Sequence, residues 1–154
     1  MQSSLSRNTR KLDLLYILAD ENTIPIDESC PKNIKSMSVR FYDGSKVIGL
    51  SNDEDIEYTR LERLAHEMGH CMTDSFYEGY SPFELRAKHE NKANAWAVKK
   101  IVPFKELCRA VKDGCRELWE LAEYFGVSYS FMEKAINIHA QHGRIVPIEL
   151  YSEI

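Results

Sequence analysis

No stretch of this chain approaches the ~18 consecutive apolar residues of a membrane span. Its start, Met1 to Arg10, is polar, and the apolar run from Leu14 to Ala19 is too short for a signal-peptide core. Together these absences predict a cytoplasmic protein with no membrane partner. Cysteine is sparse: Cys30, Cys71, Cys108 and Cys115 form no CxxC pair, so in that compartment they read as free thiols rather than bridges. Positive charge is not in excess either. Lys and Arg number 20 against 24 Asp and Glu, a net charge of −4 that argues against nonspecific nucleic-acid binding. Internal repeats, low-complexity tracts and a phosphate-binding glycine loop are also missing. What remains is a soluble globular composition, 44% hydrophobic and 29% charged. Its 154 residues read as one domain, 1–154, with a helical subregion over 110–140.

The most informative segment present is His66-Glu67-Met68-Gly69-His70. Residues i and i+4 of an α-helix project from the same face. His66 and His70 can therefore reach one metal ion, with Glu67 beside it as a general base, which is the HExxH arrangement. The spacing of Leu61, Leu64, Ala65, Met68 and Met72 predicts an amphipathic helix over residues 56–72. Asn52, Asp53, Glu54 and Asp55 supply capping groups and negative charge before it. The histidines fall nearly opposite the apolar stripe, yet share a face. Gly69, costly within a helix by roughly 1 kcal/mol, implies close approach by another backbone or by substrate.

A catalytic zinc site commonly has three protein ligands and leaves one position for water. Ser81 as N-cap and Pro82 in the first turn open a second helix, which runs to about Val102 and stops at Pro103. Its stripe of Ala87, Ala93, Ala97 and Ile101 is mostly small and includes Glu90 and Asn94. A carboxylate is rarely placed on a buried face unless it is paired or binds metal. Glu90 is therefore favoured as third ligand over His89, which points about 100° away, and over Asp74, which follows His70 at i+4 and suits a supporting place beside the metal. Asn94 is placed to accept a hydrogen bond from a ligand histidine. Tyr77 and Tyr80, in the loop between the two helices, are candidate oxyanion donors. The ion expected is Zn2+, while Mn2+ and Fe2+ suit similar ligands.

Elsewhere the pattern predicts a helix from Lys11 to Glu21 and a short strand from Thr23 to Asp27. Met37 to Phe41 and Lys46 to Leu50, joined through Asp43-Gly44, predict a hairpin whose edge can align an extended substrate. After Pro103 come helices over Phe104 to Asp113, Glu117 to Phe125 and Ser128 to His139, separated by Gly114 and Gly126, and then a tail from Gly143. Residues 117–138 have the look of a helix-turn-helix, and a non-catalytic DNA-binding or regulatory protein is the alternative to an enzyme. Against it, the second helix offers only Lys134 and Asn137 beside Glu133. Trp119, Leu121, Phe125, Met132 and Ile136 are expected to close a core instead. A structural zinc site is disfavoured because a closed site usually has four protein ligands.

The segments Leu64-Ala65-His66-Glu67-Met68-Gly69-His70 and Glu90-Asn91-Lys92-Ala93-Asn94-Ala95-Trp96-Ala97, with Ile101-Val102-Pro103 after them, resemble the ImmA/IrrE metallopeptidases. The similarity spans roughly residues 10 to 135. It implies an α+β, zincin-like fold, with a small antiparallel sheet and a hairpin before the HExxH helix and a mainly helical C-terminal half. It also implies gluzincin-like zinc binding by His66, His70 and Glu90, with Glu67 as catalytic base. The implied partner is a protein substrate, a helix-turn-helix repressor of a phage or mobile element encoded nearby. Lys92, where many relatives are acidic or neutral, departs from the pattern away from the inferred site.

Overall fold

The computed structural model describes residues 4–52 and 57–144. Three members of the expected cap, Asp53, Glu54 and Asp55, and the tail from 145 onward lie outside the described residues.

Helix α1 (Ser4–Glu21) begins well before Lys11 and buries Leu15 and Ala19, as its spacing predicts. It ends in a turn: Thr23 takes φ 57°, its amide bonds the Asp20 carbonyl, and the Ile24 amide bonds that of Ala19. The expected strand at Thr23 to Asp27 therefore starts later, because Thr23 and Ile24 are spent on closing the helix. Strand β1 is Ile26–Cys30, followed by β2 (Ser36–Arg40) and β3 (Lys46–Ser51). The β2–β3 hairpin is antiparallel, with Val39 opposite Val47 across the Asp43-Gly44 turn, where Gly44 holds φ 86°. β1 pairs with the other edge of β3 and runs parallel to it, so the strand order is β1-β3-β2 and the sheet is mixed rather than wholly antiparallel. Alternation and a tight turn specify the hairpin; the partner of β1 is a long-range choice that its own residues do not encode.

Helix α2 (Glu57–Thr73) carries the HExxH segment and α3 (Phe83–Ile101) packs along it. Leu61, Leu64, Ala65 and Met68 are fully buried, while Met72, the last of the expected stripe, is exposed. Ser81 does not cap α3. Its hydroxyl accepts the Glu78 amide instead, and Pro82 occupies the cap position. Ala93, Ala97 and Ile101 are buried at the seam. There, a Cβ added to Gly69 would lie 2.4 Å from the Ala93 carbonyl oxygen and 2.9 Å from its Cα, both backbone atoms. This is the close backbone approach that the mid-helix glycine implies.

Gly69→Ala is accordingly expected to destabilise the fold although alanine is the better helix former. Forced overpacking costs about 1–3 kcal/mol, which lowers Tm on the order of 5 °C. Thermal unfolding beside the wild type checks this; an unchanged or raised Tm would show that the seam yields freely.

The C-terminal half is α4 (Phe104–Lys112), α5 (Leu118–Phe125) and α6 (Tyr129–Gln141). A reciprocal capping box of Glu117 and Glu120 starts α5, and Gly126, at φ 63°, ends it. The Ser128 hydroxyl caps α6. Glu62 of α2 accepts both the Ser128 amide (2.6 Å) and its hydroxyl (3.0 Å), tying the start of α6 to the HExxH helix. That is the end a recognition helix would present to bases. Leu121, Phe125, Met132 and Ile136 join the core as expected, but Trp119 is 57% exposed. It shares its turn of α5 with Leu118, and Leu118, with the buried Leu121 and Ala122, fills the inward face. Among the described residues all four cysteines are free. Burial pushes the Cys71 thiol up to about 11, which suits packing rather than reactivity.

Candidate metal centre

Two helices deliver the donor atoms. The i, i+4 spacing on α2 brings His66 Nε2 and His70 Nε2 to 3.2 Å. The seam with α3 sets Glu90 against both: Oε2 lies 3.2 Å from His66 Nε2, and Oε1 lies 3.2 Å from His70 Nε2. His66, His70 and Glu90 are the group able to hold a metal ion among the described residues. Metal–nitrogen bonds of 2.0–2.1 Å in a tetrahedron require ligand atoms about 3.3 Å apart; the two histidine nitrogens have that spacing, and one donor atom from each of the three residues lies within 4.8 Å of the others.

The ring protons give a second test of fit. His70 Nδ1 is 2.7 Å from the Ser75 carbonyl oxygen, which can only accept, so this nitrogen donates. His66 Nδ1 is 3.0 Å from Asn94 Oδ1 and donates likewise. In a neutral imidazole the single proton is then on Nδ1, and Nε2 offers a lone pair. Two such lone pairs lie 3.2 Å apart, and each faces a different oxygen of the Glu90 carboxylate at 3.2 Å. An all-acceptor cluster of this kind is cohesive around a cation and repulsive without one.

Ser75 was not evident from sequence, because its place depends on how α2 ends. Asp74 takes a left-handed φ of 50°, the Ser75 amide bonds back to the His70 carbonyl, and Thr73 Oγ1 bridges the Gly69 carbonyl and Ser75 Oγ. The turn buries Ser75 completely and aims its own carbonyl at His70 Nδ1. The same turn removes Asp74 from the histidine face, since i+4 geometry stops where the helix does. Its carboxylate pairs with Arg40 at 2.7 Å and Lys46 at 3.4 Å instead, so the supporting role expected beside the metal is not where its side chain sits.

Glu67 is 7% exposed, and Ser36 Oγ of β2 donates to its Oε1 at 2.8 Å. Ser36 is a second residue that the sequence did not single out. Tyr77 and Tyr80 separate clearly. Tyr77 donates to Glu90 Oε1 at 2.8 Å, a bond to an anion that pushes the phenol pKa up, with partial burial adding to it. Tyr80 is 86% exposed, in the turn that precedes α3. His89 is beside the Tyr77 ring, outside the donor group, with its Nδ1 buried and unbonded. His139 is remote: its Nε2 is 2.8 Å from the Val102 carbonyl and ties α6 to the end of α3, and burial lowers its pKa.

Among known proteins, a peptidase-family profile described as an IrrE N-terminal-like domain matches residues 28–137. No curated protein and no solved structure matches.

Proposed function

From the chain's membership of this IrrE N-terminal-like peptidase family, we propose that it is a zinc-dependent endopeptidase of gluzincin type, with His66, His70 and Glu90 as ligands and Glu67 as general base. The observation that carries the reading is the convergence of His66, His70 and Glu90, one donor atom from each lying within 4.8 Å of the others, with both histidine Nδ1 atoms engaged elsewhere. Three protein ligands leave a position for water or substrate, as in catalytic sites. When bound, the ion supplies Lewis acidity and brings a water's pKa towards ~7.

The chain's residues do the rest. Asn94 and Ser75 hold the two imidazoles in the metal-binding tautomer. Glu67 takes a proton from the attacking water and passes it to the leaving amine. Tyr77 reaches the developing oxyanion only by turning its hydroxyl away from Glu90. Substrate lies extended along the edge of β2 left free by β3, adding a strand beside α2. Its chemistry is that of a protein chain, and the repressor of helix-turn-helix type encoded nearby is the partner we propose. Residues 1–154 act as one cytoplasmic catalytic domain.

Incubating the Zn2+-loaded protein with that repressor tests the reading. Discrete fragments are expected, lost with a chelator and restored by Zn2+. An intact repressor beside cleaved casein would replace the substrate, and cleavage indifferent to chelation would overturn the metal dependence.

A further inference from the structure

Ser36 belongs to a strand, not to either ligand helix, yet its hydroxyl donates to the carboxylate of Glu67 at 2.8 Å. Four residues on, Arg40 Nη1 donates to Asp74 at 2.7 Å, just past the end of α2. Positions 36 and 40 lie on one face of β2, by the two-residue alternation of a strand. Four strand steps cover about 13 Å, and the six helical steps from Glu67 to Thr73, the residue before Asp74, cover about 9 Å. The strand thus runs alongside α2 and is fastened to it at both ends by side-chain bonds. The outer bond is an exposed ion pair, 45% and 58% exposed on its two sides, of a kind that contributes little. The inner bond is half-buried and fixes a carboxylate that is itself buried.

We propose that Ser36 is a positioning residue for the general base, a role that rests on the peptidase reading above. A carboxylate on a flexible glutamate arm has three torsions to settle. A hydroxyl carries one proton, so Ser36 can hold one oxygen of Glu67 and leaves the other to accept the proton of the attacking water. The donor also sits on the strand along which substrate is aligned. Seating of the peptide and orientation of the base are thereby referred to one piece of backbone, and a shift of β2 moves both together.

Ser36→Ala removes the hydroxyl without touching a ligand, and Ser36→Thr keeps it. With zinc-loaded protein and fluorescein-labelled casein as probe, Ser36→Ala is expected to keep zinc content and KM near wild type while kcat falls about 10- to 100-fold, the scale of one hydrogen bond to a charged group. Ser36→Thr should recover most of that loss. Acetohydroxamate binding, followed by calorimetry, gives a readout free of turnover. Ser36→Ala should weaken it in the wild-type background and change nothing in the Glu67→Gln background, because the effect passes through that carboxylate. Unchanged kcat in Ser36→Ala, an effect on KM alone, or equal weakening of acetohydroxamate in both backgrounds would overturn the proposal. Full turnover by Glu67→Gln would instead strike the peptidase reading itself, so the two failures are told apart.

Discussion

Glu67→Gln is expected to bind zinc as the wild type does and to lose about 10²- to 10⁴-fold in kcat, the range attributed to general acid–base catalysis. The amide has the shape of the carboxylate and its oxygen can still accept from Ser36 Oγ, so neither packing nor Tm should move much. What it cannot do is take a proton at neutral pH. Glu67 is absent from the donor group, which is His66 and His70 of its own helix with Glu90 of α3. Metal content measured beside kcat therefore separates chemistry from assembly. Turnover retained in this variant would assign the base elsewhere, and zinc lost from it would make Glu67 part of the binding set.

The second large effect belongs to Glu90. It is the sole donor from α3, and without it two histidines on one helix must hold the ion alone. Loss of an outer partner of a ligand costs roughly 10- to 100-fold in metal affinity, and removal of a ligand should exceed that. Glu90→Ala is expected to emerge from dialysis without zinc, while the wild type retains it. Added Zn2+ should raise the wild-type Tm by linkage and leave the variant's unmoved. The variant also frees the Tyr77 hydroxyl, which bonds Glu90 in the parent. Full zinc content in Glu90→Ala would dissolve the proposed ligand set.

The parts of this site that were legible in sequence are those governed by helical periodicity. The 3.6-residue repeat places His66 with His70 and puts Glu90 and Asn94 on the small-residue stripe of α3, and it does so without tertiary information. Gly69 was legible for a different reason: a costly residue needs a compensation, and the Ala93 backbone supplies it. Ser36 and Ser75 could not be read the same way. Serine is common and carries no periodic signature, and each acquires its role from a contact that crosses elements or closes a turn. Asp74 departs from the i+4 pattern because it lies one residue past the end of the helix, where its own left-handed backbone redirects the chain. Trp119 departs from the expected core because Leu118, Leu121 and Ala122 already occupy the inward side of α5. The parallel pairing of β1 with β3 follows from which strand fills the centre of the sheet, and local alternation is silent on that.

The glycine seam between α2 and α3 has a meaning for which ions fit. Gly69 directly precedes His70, and Ala93 directly precedes Asn94, one helical turn from Glu90. Backbone contact at this point acts as a caliper closed on its stop, beside residues proposed above as ligands. Calcium, with bonds of about 2.3–2.6 Å, would have to spread the jaws. Under the ligand set proposed above, first-row divalent ions need no such opening, and the way two helices touch would then favour the smaller ion.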